Sequence, residues 1–186
     1  RTILMKQIYC IFFLFFVSTA QAGHKPGDSP PKVTTQQFTN WVFKCVEDHG
    51  KRNCELFQSL QIRNSNIRFT VSYVRFKNQK NENKEAISII GPLGINLNTR
   101  LAIQFDKQGQ KNLPWTKCEV MGCMVILTNN TANKELLALY SLIKKSFISG
   151  QKAIIAVAGF QAQPLSIEMQ LDGFNKALKK FNDEKL

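Results

Sequence analysis

The sequence predicts a mainly β protein, a β-sandwich carrying two added α-helices, and three observations predict it. Many short runs alternate apolar and polar residues with period two and are separated by Gly, Pro, Asn and Asp clusters. Only two segments, about 133–145 and 173–185, carry helical spacing. Four cysteines follow an export-type leader, an even set that suits a disulfide-braced β domain.

The elements follow in chain order. Arg1 to Leu4 lie upstream of Met5, which is the expected native start. Lys6, the ten-residue apolar run Ile8 to Val17 and the Ala20-Gln21-Ala22 triplet read as a secretory signal over 1–22, with cleavage between Ala22 and Gly23. As a helix that run is about 15 Å long, half of the ~30 Å hydrocarbon core a membrane anchor must cross. Cys10 sits inside the run and leaves with the signal. Residues 23–37, rich in Pro, Gly, Ser and Thr, have little to bury and are expected to form a flexible linker. Cleavage would leave about 164 residues, and the domain is expected over 38–186, large enough for a core of its own.

Trp41 and Phe43 alternate with polar neighbours up to Cys45, the pattern of a half-buried strand, and Glu47 to Asn53 reads as a polar turn. Cys54–Ile62 and Ile67–Phe76 are the next strands, the latter placing Ile67, Phe69, Val71 and Tyr73 on one face. The nine polar and charged residues Lys77 to Glu85 are expected to be a solvated, mobile loop before a short strand, Ala86–Ile90. After the Gly91-Pro92-Leu93-Gly94 turn, Ile95–Leu97, Leu101–Phe105, Met121–Leu127, Lys152–Ala158 and Leu165–Leu171 read as strands. In the first helical segment Leu136, Leu139, Tyr140 and Ile143 share a face, Asn133 is a candidate N-cap, and Lys144-Lys145 suit a C-terminus. In the second, Phe174, Ala177, Leu178 and Phe181 form the stripe of a docked terminal helix.

Cys45, Cys54, Cys118 and Cys123 point to two disulfides among three connectivities. Strand-turn-strand geometry and the short Met121-Gly122 loop favour local pairing, although the sequence alone does not choose. The C-x8-C and C-x4-C spacings lack the tight knuckle of a zinc site, and no C-x-x-C redox motif exists.

Twenty-five Lys and Arg face thirteen Asp and Glu, a net charge of +12 that becomes +10 when Arg1 and Lys6 leave with the signal. Such a charge favours anionic surfaces. Export and the absence of nucleic-acid motifs argue against nucleic acid; an anionic envelope or host-cell surface fits the location better, and the alternative reading is that the lysines simply keep the domain soluble, which leaves the partner unassigned. The only histidines are His24 and His49, and no nucleophile elbow, zincin, Walker or dinucleotide motif is present. No catalytic, metal-binding or cofactor-binding residue is assigned; the reading is of a non-enzymatic protein without cofactor, and without a transmembrane segment once cleaved.

The landmarks occur in a recognisable order: Trp41-x3-Cys45, Cys54, Gly91 to Leu97 (GPLGINL), Pro114-Trp115-x2-Cys118 with Gly122-Cys123, then Leu171 to Leu178 (LDGFNKAL). Together they resemble the invasion-associated locus B (IalB) family over about Phe38 to Phe181. The resemblance implies an immunoglobulin-like β-sandwich in a periplasmic or surface-exposed protein, linked in some pathogens to entry into host cells such as erythrocytes, with no assigned enzymatic activity. It leaves two roles open, assistance in host-cell association and housekeeping in the envelope. The polar 77–85 segment and the high positive charge depart from the family's pattern.

Overall fold

Alternation of apolar residues along the last four of five successive strands builds the first wall of the core. In a computed structural model, which describes residues 30–106 and 109–184, β1 (Lys32–Phe38), β2 (Trp41–Asp48), β3 (Lys51–Gln61), β4 (Arg68–Lys77) and β5 (Asn83–Gly91) form an antiparallel meander. Register aligns Phe43 with Leu56, Leu56 with Tyr73 and Tyr73 with Ile87, so one face of the sheet is a continuous apolar row. After β6 (Leu101–Phe105), β7 (Lys111–Leu113) and β8 (Lys117–Glu119), β9 (Gly122–Thr128) extends the row by setting Leu127 opposite Ile87. The seven-stranded order is β1-β2-β3-β4-β5-β9-β8.

The second sheet follows the same rule. With β10 (Lys152–Ala158) and β11 (Pro164–Gln170), β6 and β7 complete a four-stranded antiparallel sheet of order β11-β10-β6-β7. Leu101, Ile103, Ala153, Ile155 and Met169 are fully buried. Two antiparallel sheets around one core give the mainly β sandwich expected of the period-two pattern.

The helices add Tyr140, Phe147, Phe174 and Phe181 to an aromatic core that the strands begin with Trp41, Phe43, Phe69, Tyr73 and Phe105. α1 (Lys134–Ser149) begins at Asn133, whose Oδ1 accepts from the Glu135 and Leu136 amides at 2.9 and 3.1 Å. α2 (Phe174–Asp183) buries Phe174, Ala177, Leu178 and Phe181. Phe174 stands edge-on to Trp41 at 4.8 Å and to Phe147 of α1 at 5.3 Å, and Phe181 stands against Tyr73 at 5.5 Å. Such tilted ring pairs add about 0.5–1.5 kcal/mol each beyond the area they bury. Gly173 initiates α2 at φ 91°, where a Cβ would lie 2.1 Å from the Phe38 carbonyl oxygen, so both conformation and space require glycine.

Five local expectations are corrected. Residues 32–37, expected to be linker, belong to β1, whose side chains are exposed and whose order comes from the backbone ladder to β2. The polar 77–85 segment is a tight hairpin: Asn78 Oδ1 accepts from the Lys80 and Glu82 amides at 3.0 and 2.9 Å, and Asn81 adopts φ 60°. Ile95–Leu97 makes only an isolated bridge, from Ile95 to Gly159. α1 continues past Lys144-Lys145 to Ser149 because Phe147 in its last turn is buried, and that turn holds no basic residue. The 47–53 turn also tightens to His49-Gly50, since β2 and β3 continue through their polar ends. The signal 1–22, the Ala22–Gly23 cleavage point and linker residues 23–29 lie outside the described residues.

Candidate interaction surface

The four cysteines are paired locally. Cys45 and Cys54 face each other in register on β2 and β3, with Cα atoms 4.0 Å apart, and Cys118 and Cys123 do so on β8 and β9 at 3.9 Å. His49 sits in the exposed β2–β3 turn with Nδ1 2.7 Å from the Asp48 carboxylate. Among the described residues no three His, Cys, Asp or Glu side chains are grouped to hold a metal ion.

One buried polar cluster escaped sequence reading. Glu85, expected to close a solvated loop, turns inward from β5, and its Oε2 accepts from the Tyr140 hydroxyl at 2.5 Å and from the Lys144 ammonium, both on α1. Burial alone would raise the Glu85 pKa, but hydrogen bonds from Lys144 and Tyr140 outweigh it and hold the carboxyl below its usual range. Burial, then the Glu85 hydrogen bond, raises Tyr140, and burial is also the main reason Tyr73 beside it is raised. The Lys144 ammonium lies 5.4 Å from the Tyr73 ring centre. Every charge here is answered, so the cluster fastens α1 to the sheet; the missed signal was that Tyr140 and Lys144, four residues apart, share the helix face turned toward β5.

The open, charged feature lies at one end of the seven-stranded sheet. The β2–β3 and β4–β5 hairpins both turn there, bringing the start of β3 beside the end of β4. Two grooves of about 340 and 320 Å³ share Asn53, Arg75 and Phe76 as lining. Lys51, Arg52 and Lys77 line one and Lys44 the other, against a single acidic lining residue, Glu55, which pairs with Lys44 at 3.7 Å. Val46, Val74 and Phe76 supply an apolar floor.

The C-terminal end of α2 organises the guanidinium groups of this surface. Arg52 lies 3.0 Å from Glu184 and 3.6 Å from Glu47, and its Nε has no hydrogen-bond partner among the described residues. Arg75 donates to Asn182 Oδ1 at 2.6 Å and lies 4.9 Å from the Phe181 ring centre. Lys180, and then Arg52, hold the Glu184 carboxyl below its usual range. Lys51 and Lys77 are exposed and make no ion pair among the described residues. The Arg52 and Arg75 guanidiniums, held on the sheet face turned to α2 with exposed Lys51 and Lys77 nearby, can take up anionic groups by charge and hydrogen bonding, while Val46, Val74 and Phe76 alternate onto the opposite face. Lys51-Arg52 and Arg75 to Lys77 are distant along the chain and meet only through strand pairing.

Comparison with known proteins agrees with this architecture. The family model described as "Invasion associated locus B (IalB) protein" matches residues 41–182. No curated protein sequence matches the chain. Among solved structures, the crystal structure of invasion associated protein b from Bartonella henselae superposes with a TM-score of 0.56 at 19% identity, covering 80% of this chain and 95% of that one. At that identity the likeness speaks for the fold. No helix among the described residues is long and apolar enough to cross a membrane.

Proposed function

The chain belongs to the invasion associated locus B family, and from that premise we propose that it is an exported, non-enzymatic envelope protein that assists host-cell association by binding anionic groups. The observation that carries the reading is the basic groove, where Lys51, Arg52, Arg75 and Lys77 converge and only Arg52 is ion-paired to carboxylates among the described residues, those of Glu184 and Glu47. Export is supported by the two disulfides, which persist in oxidising compartments, and by the signal-like segment 1–22.

Protease shaving of intact cells combined with fractionation tests the reading, because direct contact with a host cell requires surface exposure. The expected result is cleavage of the chain on intact cells, and a K51Q/K77Q variant that is exported normally but adheres less. A clean deletion that leaves adhesion and entry unchanged would overturn it. The apolar floor of Val46, Val74 and Phe76 favours a second role, a periplasmic protein that binds envelope amphiphiles bearing anionic head groups. That role predicts protection from shaving and, on deletion, sensitivity to detergent.

A further inference from the structure

The end of the seven-stranded sheet opposite the basic groove has the reverse chemistry. Turn 62–67 between β3 and β4, the exit of β5 at Gly91 and the β8–β9 turn all leave this end, since Gly91 pairs with Cys123. Loop 159–163 joins them through the Ile95–Gly159 bridge and the Phe160 amide, which donates to the Gly94 carbonyl at 2.8 Å.

Turns ordinarily carry Gly, Asn, Asp or Ser, and two-residue hairpin turns favour Asn-Gly. Here the β8–β9 turn is Val120-Met121, 96% and 72% exposed, held out by the Cys118–Cys123 bridge across the hairpin. Phe160, at the first corner of the turn closed by the Ala162 amide on the Gly159 carbonyl, is 80% exposed. Leu93 and Leu97 are 57% and 55% exposed on the loop between Gly91 and β6. By contrast, the groove-end turns, His49-Gly50 and Asn78 to Glu82, are wholly polar. Around the apolar turns stand Arg63, Arg68 and Arg100, exposed and without ion pairs among the described residues, and Lys117, paired with Glu119 at 2.6 Å.

We propose that this end is a membrane-docking tip: Leu93, Val120, Met121 and Phe160 enter the headgroup–acyl boundary of an anionic bilayer while Arg63, Arg68 and Arg100 contact its phosphates. Charge complementarity selects the occupant, because apolar tips ringed by unpaired arginines match a surface that is greasy inside and negative outside. The ten residues of β4 then hold the basic groove about 30 Å above the lipid, facing away from it. The tip is a different surface from the groove and does not rest on the host-contact reading.

Cosedimentation of the chain, as exported by cells, with vesicles of phosphatidylglycerol and phosphatidylcholine, or of phosphatidylcholine alone, tests the proposal. The expected result is binding to the anionic vesicles that falls about tenfold or more in V120S/M121S and again in F160S. Removing the three arginines by R63Q/R68Q/R100Q is expected to cost about hundredfold, whereas K51Q/K77Q in the groove changes binding by less than about twofold. Far-ultraviolet circular dichroism and melting of each variant separate lost binding from lost fold. The proposal is overturned if folded V120S/M121S binds like the parent, if the parent binds neither vesicle, or if the groove lysines carry the binding. It is equally overturned if sedimentation velocity without lipid shows a dimer that V120S/M121S dissociates, since the tip is then a contact between copies.

Discussion

Replacing Glu85 probes how α1 is held to the sheet. The carboxylate accepts from Lys144 and Tyr140, with Glu85 and Lys144 side chains only 18% and 28% exposed. Hydrogen bonds to charged groups contribute about 1.5–3 kcal/mol each, and truncating one partner of a buried pair costs about 3–5 kcal/mol. Because the ammonium here keeps some water, Glu85→Ala is expected to cost about 2–3 kcal/mol, a fall of roughly 5–10 °C in melting temperature for a domain of this size. Glu85→Gln, which keeps an acceptor but no charge, is expected to cost about 1–2 kcal/mol at neutral pH. The folded carboxyl titrates below its usual value of 4.5, so its contribution is complete above that pH and is lost as pH falls through the lower folded value. The gap between parent and Glu85→Gln should therefore hold steady above about pH 5 and narrow below about pH 4.5. Urea unfolding across that pH range measures it, with Lys144→Met closing a double-mutant cycle. A Glu85→Ala cost under about 0.5 kcal/mol, or a gap insensitive to acid, would refute the reasoning.

Three further outcomes follow from the fold. Loop closure over separations of 9 and 5 residues makes the Cys45–Cys54 bridge worth about 2.6 kcal/mol and Cys118–Cys123 about 2.1 kcal/mol; paired serine variants should rank in that order by urea midpoint, and an inverted ranking would show that native-state effects dominate. Phe174→Ala empties a fully buried site touching Trp41, Tyr73 and Phe147 and is expected to cost about 3–5 kcal/mol, read by thermal or denaturant unfolding. Asn133→Ala removes the acceptor of two amides at the start of α1 and should cost about 1 kcal/mol, with Asn133→Ser recovering most of it.

The strands with strict alternation and the helices with a clear stripe were legible because side-chain period alone decides which face is buried. Phe69, Val71 and Tyr73 on β4, Ala153, Ile155 and Val157 on β10, and Phe174, Ala177 and Phe181 on α2 are all core residues. β1 was not, because it has no apolar alternation and is specified by a neighbour's backbone. The Asn78 hairpin was hidden for a related reason: its order lies in side-chain bonds to nearby amides, while composition reports only polarity. Met121 ran the other way: it reads as the start of the strand Met121–Leu127, whereas it is exposed in the turn and burial begins at Gly122.

By itself the sequence determined a basic, mainly β domain, four cysteines beyond the apolar leader and an order of landmarks belonging to one family, since period, charge and motif order are properties of the chain alone. The tertiary structure decided which cysteines pair, that Glu85 faces inward to α1, and that the cations divide between two ends of a sheet, one a basic groove and one a ring around apolar turns. Those outcomes depend on which hairpins turn at which end. Antiparallel pairing sets that by joining residues dozens of positions apart, so linear spacing does not encode it.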